Sequence, residues 1–126
     1  MMSLTRTLRI LIIEDEAVIA MTAEDMIEHL GFVVAGHAAT LAEALERVDS
    51  IDFDIALLDI NLNGQMSTPV AQALQAAGKR FVYTTGYGNA GPQSGFADAI
   101  VVAKPYTVAM LEKAIAQAVA GSDRAS

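Results

Sequence analysis

Apolar and polar positions fall into alternating blocks along the chain. Leu8 to Ile13 is a nearly unbroken apolar run, which predicts a strand covered on both faces. Ile19, Ala23, Met26 and Leu30 then recur at helical spacing, and Gly31 supplies a C-terminal stop. Phe32 to Ala35 predicts a second strand. Thr40 and Glu43 form a Thr-x-x-Glu capping box, and Leu41, Ala44, Leu45 and Val48 supply the buried stripe of the helix it opens. Ile55 to Leu58 predicts a third strand that ends in Asp59, and the polar stretch Asn61 to Gln65 predicts a loop. Thr68 is expected to cap the next helix, with Pro69 at its first position, where a missing N–H costs nothing. Val70, Ala73, Leu74 and Ala77 form that helix's apolar stripe, and Gly78 ends it. Phe81 to Thr84 and Ile100 to Ala103 predict the fourth and fifth strands. Thr107 is expected to cap a last helix, with Val108, Leu111, Ile115 and Ala118 on one face and Gly121 after it. Between them, Gly86, Gly88, Gly91, Pro92 and Gly95 predict a mobile loop with at most a short helix. Strands alternating with helices predict a parallel sheet with helices on both sides.

Composition narrows the possibilities. The 126 residues suffice for one domain and one core. Hydrophobic residues at 53% against 18% charged exclude a disordered chain. A net charge of −7 argues against a nucleic-acid partner. The absence of cysteine excludes disulfides, thiolate chemistry and Cys-based zinc sites. His29 and His37 have no third histidine to complete a metal cluster, so they are assigned structural or surface places. The methionines fall at core spacings and are read as packing. The run Ile10 to Ile13 is too short for a signal-peptide core or a membrane span, so a soluble cytoplasmic protein without membrane contact is expected.

In parallel sheets of this kind ligands bind beyond the carboxyl ends of the strands. Glu14 and Asp15 follow the first strand, Asp59 ends the third, Thr84 and Thr85 end the fourth, and Lys104 and Pro105 follow the fifth. The second strand brings only His37 nearby. Three carboxylates at one sheet edge repel: two unit charges about 4 Å apart cost roughly 4 kcal/mol at an effective dielectric of 20. Either one of them takes up a proton or a cation sits between them. Hard oxygen donors without His or Cys favour Mg²⁺. With Lys104 as a second positive charge, such a site attracts a phosphoryl group, and a carboxylate can attack phosphorus. Asp59, on the central strand, is the natural nucleophile; Glu14 and Asp15 are better placed to hold metal. Glu16 is assigned to the first turn of the first helix.

The segments Ile-Leu-Ile-Ile-Glu14-Asp15-Glu16, Ala-Leu-Leu-Asp59-Ile-Asn61-Leu, Thr85-Gly86 and Lys104-Pro105 resemble the four signature segments of response-regulator receiver domains. The resemblance runs from about Leu8 to Ala120 and implies a doubly wound, flavodoxin-like α/β fold with strand order 2-1-3-4-5. It implies that Asp59 is the phosphoacceptor, that Glu14 and Asp15 form an acidic pocket, and that Asp15, Asp59 and the backbone carbonyl of Asn61 ligate Mg²⁺. It also implies that Thr85 is the switch hydroxyl, that Lys104 pairs with the phosphoryl group, and that the Lys104–Pro105 bond is cis. Tyr83-Thr84-Thr85-Gly86-Tyr87 resembles an aromatic-x-Thr-Gly segment of some stand-alone bacterial receivers. Val101 stands where such domains often carry an aromatic switch residue, with Tyr87 or Tyr106 as replacements. Asn63-Gly64 stands where Pro-Gly is common.

The expectation is therefore one receiver domain over residues 1–126 with a core of about 8–120, a short tail from 121 and no output domain. Its partners would be a histidine kinase or histidine phosphotransfer protein and possible downstream proteins, with the chain a monomer or a phosphorylation-dependent dimer. It would not be a multiple-turnover enzyme. Two other functions compete. A phosphatase with an aspartyl-phosphate intermediate usually has a second Asp two residues after the nucleophile, where this chain has Asn61. A flavodoxin-like cofactor carrier needs a phosphate loop after the first strand, where Glu14-Asp15-Glu16 would repel the ligand.

Overall fold

A computed structural model of the chain describes residues 7–86 and 99–125. Tyr87 and the remainder of the glycine-rich stretch up to Gly95 lie outside the described residues. The elements are β1 (Arg9–Ile13), α1 (Ala17–His29), β2 (Val33–Ala38), α2 (Leu41–Ser50), β3 (Ile55–Asp59), β4 (Asn61–Leu62), β5 (Gln65–Met66), α3 (Thr68–Ala76), β6 (Arg80–Thr85), β7 (Ile100–Ala103) and α4 (Val108–Ala125). Five strands form one sheet in the order β2-β1-β3-β6-β7, every pair parallel. With the β4–β5 hairpin set aside, this is the order 2-1-3-4-5 of the flavodoxin-like fold.

The sheet is apolar on both faces because alternate residues of each strand enter different cores. Ile10, Ile12, Ile55, Leu57 and Val82 pack with Ala20, Ala23 and Ile27 of α1 and Leu111, Ala114 and Ile115 of α4. Leu11, Ile13, Ala56, Leu58 and Tyr83 pack with Ala44 and Val48 of α2 and Val70, Ala71 and Leu74 of α3. The parity of β3 therefore puts Asp59 on the α1 and α4 side of the sheet.

The expected punctuation largely holds. Gly31 and Gly78 adopt φ of +88° and +72° after α1 and α3, a region that suits glycine. The amide of Glu43 donates to Thr40 Oγ1 (3.1 Å), while Glu43 Oε1 accepts from Ala39 N (2.8 Å) rather than from the Thr40 amide. Met110 N donates to Thr107 Oγ1 (3.1 Å), capping α4.

Several expectations are corrected. Asn61 to Gln65 is a tight antiparallel hairpin rather than a loop, turning on Asn63 (φ +53°) and Gly64 (φ +82°). The second strand runs to Ala38, where its backbone continues pairing with β1 beyond the apolar run. The N-cap of α3 is Ser67, so Thr68 and Pro69 both lie inside the helix. Ile60 O accepts from Ser67 N (2.8 Å), which fixes Ser67 one residue early. Gly121 does not stop α4, which continues to Ala125; one glycine costs a helix only ~1 kcal/mol. In α1 Ala23 lies in the core as expected and Met26 and Leu30 pack partly buried against it, but Ala20 and Ile27 rather than Ile19 complete the buried stripe. Leu45 is exposed, as are Met21, Met66 and Met110, so these methionines are surface residues and not packing.

Ser67 is fully buried and its hydroxyl has no hydrogen-bond partner among the described residues. A buried unpaired hydroxyl carries a desolvation cost of about 1–3 kcal/mol. Ser67→Ala is therefore expected to leave stability unchanged or to raise it by up to ~1 kcal/mol, seen as a higher urea midpoint at constant slope. Gly78→Ala, forced into a positive φ, is expected to lower stability by about 1–2 kcal/mol, seen as a lower urea midpoint.

Candidate functional site

Each chemically active side chain sits where a buried strand runs out. The end of β1 is followed by Glu14, whose amide donates to Ala38 O at the end of β2 (2.9 Å). His37, also on β2, bonds through Nε2 to the backbone oxygen of Glu14 (3.1 Å), which gives this histidine a structural place. β3 ends at Asp59, and Ile60 N donates to Thr84 O (2.9 Å), locking the ends of β3 and β6 together. Lys104 N donates to Thr85 O (2.7 Å), which ties the exit of β7 to the end of β6. The Lys104–Pro105 peptide bond is cis, as the resemblance implies.

These backbone ties bring the side chains together. Lys104 Nζ donates to Glu14 Oε1 (2.9 Å) and to Asp59 Oδ2 (3.0 Å). The second oxygen of each carboxylate has a backbone donor: Glu16 N to Glu14 Oε2 and Asn61 N to Asp59 Oδ1, each 3.1 Å. Asp15 Oδ2 accepts from Asn63 N (3.1 Å), and Asn61 Oδ1 accepts from Gly64 N (2.8 Å) within the hairpin. Glu14, Asp15 and Asp59 each offer a carboxylate oxygen within 4.8 Å of the others. Glu14, Asp59, Thr84 and Thr85 are buried and Asp15 is partly buried.

Burial dominates the electrostatics. It pushes the Glu14 carboxyl up to about 7, against the Lys104 bond, which pulls it down; the nearby Asp59 charge adds to the rise. Burial likewise raises Asp59 despite the same lysine. For Lys104, burial favours the neutral form, but its two carboxylate partners outweigh it and hold the ammonium above the usual lysine range. Tyr106 is pushed up to about 12, first by burial and then by the Glu14 charge, so its phenol stays neutral. One ammonium cannot balance three carboxylates, and the donors are all oxygen. That donor set and residual negative charge fit a small hard dication.

Asp15, Asp59, Asn61, Thr85, Gly86 and Lys104 line one end of a cavity of about 640 Å³. Its other walls are Ile19, Thr22 and Met26 of α1, Met66 of the hairpin, and Pro105 and Tyr106. Glu14 is not part of that lining; it lies behind, against the lysine. Of the two threonines, Thr85 lines the cavity and Thr84 does not. Val101 packs on the α2 and α3 side, paired in register with Tyr83, whose ring meets Phe81 edge-on at 5.1 Å. The aromatic beside Val101 is thus on β6. The sequence reading missed the α1 wall, although Asp15, Ile19, Thr22 and Met26 recur at helical spacing and could have been read as one face.

The family model described as response regulator receiver domain matches residues 10–116. No curated protein sequence matches the chain. Among solved structures, the chain is similar to SdrG from Sphingomonas melonis Fr1, with 43% identity and a TM-score of 0.81 over 90% of this chain and 97% of that one. The BeF3-activated conformation of SdrG, from Pseudomonas melonis Fr1, gives 44% identity and a TM-score of 0.75 over 86% and 92%. The receiver domain of the PhyR response regulator from Erythrobacter litoralis gives 28% identity and a TM-score of 0.76 over 92% of each chain. No helix among the described residues is long and apolar enough to cross a membrane.

Raised carboxyls make folding take up protons. Between the ordinary carboxylate range and about 7, the unfolded chain has ionised Glu14 while the folded chain has not, so stability falls as pH rises. Lys104, also raised, acts in the same direction, but only above the ordinary lysine range. Urea unfolding without divalent cations is expected to show lower stability at pH 7.5 than at pH 5, by about 1–2 kcal/mol. Glu14→Gln should flatten that slope; an unchanged slope would mean that Glu14 is ionised throughout.

Proposed function

The chain belongs to the response regulator receiver domain family, and on that premise we propose that Asp59 accepts a phosphoryl group from the phosphohistidine of a kinase or phosphotransfer protein. The observation that supports this most is the bond of Lys104 to Asp59 and Glu14 at once, beside a cavity open to a donor. A carboxylate oxygen of Asp59 forms the new bond to phosphorus, and the phosphorus–nitrogen bond breaks with its electron pair leaving on imidazole. The Asn61 amide and the Lys104 ammonium orient the carboxylate for attack. As charge moves onto the phosphoryl oxygens, Lys104 exchanges its Asp59 contact for them, and the Thr85 hydroxyl turns toward the same group.

Glu14, Asp15, Asp59 and the Asn61 carbonyl would hold a Mg²⁺ ion, which supplies charge neutralisation for the phosphoryl oxygens. Glu14 then contributes through the lysine and the local field more than by direct ligation, since it stands behind Lys104. The BeF3-activated form of the 44% identical relative supports the reading, because trifluoroberyllate on a carboxylate has the tetrahedral shape of a phosphoryl group. Phosphorylation biases the surface around β6, β7 and α4 between two states, and Val101 against Tyr83 replaces the more usual aromatic at the β7 position. The output is contact with another protein, or removal of phosphate from a shared kinase, in a cytoplasmic setting and without steady turnover.

Phosphotransfer from a labelled kinase tests the assignment. Asp59→Asn is expected to lose all label while keeping a native circular-dichroism spectrum, and EDTA is expected to stop transfer to the unchanged protein. Label retained on the Asp59→Asn chain would move the acceptor elsewhere. In competition with a second regulator, a sink should drain the kinase, whereas a messenger should gain a bound protein on phosphorylation.

A further inference from the structure

Asn63 and Gly64 form the exposed tip of the β4–β5 hairpin and are the one Asn-Gly step in the sequence. The backbone nitrogen of such a glycine can reach the carbonyl carbon of the asparagine side chain, because no Cβ shields it. A Cβ built on Gly64 would meet nothing within 4 Å, so the tip is also open to water. Three hydrogen bonds oppose attack in the folded chain. Gly64 N donates to Asn61 Oδ1 (2.8 Å), which occupies the attacking nitrogen. Asn63 Nδ2 donates to Ala39 O (3.4 Å), which holds the side-chain amide toward the segment between β2 and α2. Asn63 N donates to Asp15 Oδ2 (3.1 Å), which holds the backbone at φ +53°. The Ala39 contact is long and therefore weak. Asn61, Asn63 and Gly64 belong to neither hydrophobic core, so the first two bonds open without disturbing the packing.

We propose that Asn63 is a site of covalent self-modification, converted to aspartate and isoaspartate at a rate set by the Gly64–Asn61 bond. Gly64 N forms a bond to Asn63 Cγ and gives its proton to water. The Cγ–Nδ2 bond breaks, and the nitrogen leaves with the electron pair, taking a proton from water to become ammonia. Water then opens the five-membered imide at either carbonyl carbon. Attack at Cγ restores the main chain and leaves an aspartate side chain. Attack at the backbone carbonyl carbon leaves the main chain running through Cγ, as isoaspartate. Either product carries one negative charge more than Asn63. Only isoaspartate adds a methylene to the main chain of the two-residue turn, and the Asn61–Met66 and Leu62–Gln65 pairs then cannot both keep register. Asn61 shifts with them, together with the bond of its amide to Asp59 Oδ1. The isoaspartate form is therefore the one that weakens the acidic cluster as a holder of a dication.

The test incubates the full chain in heavy-oxygen water and maps the label by mass spectrometry after digestion, with isoaspartate measured through its enzymatic methylation. Heavy oxygen is expected at Asn63, and faster in the urea-unfolded chain, where all three bonds are open. Asn61→Ala, which frees the Gly64 nitrogen, should raise the folded-chain rate about fivefold, the strength of one neutral hydrogen bond. Asn61→Asp keeps an acceptor and should leave the rate low. Circular dichroism shows whether each variant is folded; if Asn61→Ala is not, the unchanged chain against its unfolded form still decides. The isoaspartate form, separated by ion exchange, is expected to bind Mg²⁺ about tenfold more weakly in calorimetry, the usual effect of disturbing a partner of a metal ligand. Asn63→Asp, with the charge and no added methylene, should lose no affinity. Heavy oxygen missing from Asn63 in every folded chain overturns the proposal. So does an unchanged chain that reacts as fast as the unfolded one, or a folded Asn61→Ala chain that reacts no faster than the unchanged one. An isoaspartate form with undiminished Mg²⁺ affinity overturns the effect on the cluster. None of these results depends on whether Asp59 accepts a phosphoryl group.

Discussion

The Lys104 ammonium, 2.9 Å from Glu14 and 3.0 Å from Asp59, sets the terms for this end of the molecule. Both carboxylates are buried, and a buried anion without a partner is strongly unfavourable. One side chain from the far edge of the sheet therefore has to reach its centre. The backbone meets that demand through a chain of ties: Glu14 N to Ala38 O, Ile60 N to Thr84 O, and Lys104 N to Thr85 O. The hydrophobic sandwich on either side holds the strands in register, so these three contacts align five strand ends. Compensation is nevertheless incomplete: burial raises both the Glu14 and Asp59 carboxyls despite the lysine. The site gives up stability at neutral pH and in return keeps an oxygen donor set that suits a cation.

Much of this was legible in the amino acids. Apolar runs such as Ile10–Ile13 and Ile55–Leu58 can satisfy their surface only between two layers, so the parallel sheet followed from pattern alone. The convergence of strand ends in such sheets pointed to Glu14, Asp15, Asp59, Lys104 and the pair Thr84 and Thr85; only the resemblance set Thr85 apart, and the structure brings it together with the four charged residues. Boundaries were less legible. Thr68 looks like a cap by residue type, yet the Ile60–Ser67 backbone bond decides where α3 starts. Gly121 looks like a stop, yet nothing in one missing side chain forces a helix to end.

The α1 wall escaped for a different reason. Ile19 fits a core stripe, and periodicity cannot tell an apolar residue facing the sheet from one turned by a third of a turn toward an opening. Only the observed rotation of α1, with Ala20, Ala23 and Ile27 against the sheet, separates the two. Residue size was the overlooked clue: two alanines allow α1 to pack closely against β1, and that leaves the larger side chains at the rim.

The hairpin between β4 and β5 holds one more consequence. Asn63 N bonds to Asp15 Oδ2, so a carboxylate of the acidic cluster also serves as an anchor for a turn held at positive φ. Whatever draws Asp15 inward weakens that anchor, and by thermodynamic reciprocity whatever grips the turn from outside would change the pull of the cluster on a cation held there. The surface turn and the buried charges form a linked equilibrium, so a protein that never touches Asp59 can still adjust how strongly its neighbourhood is loaded.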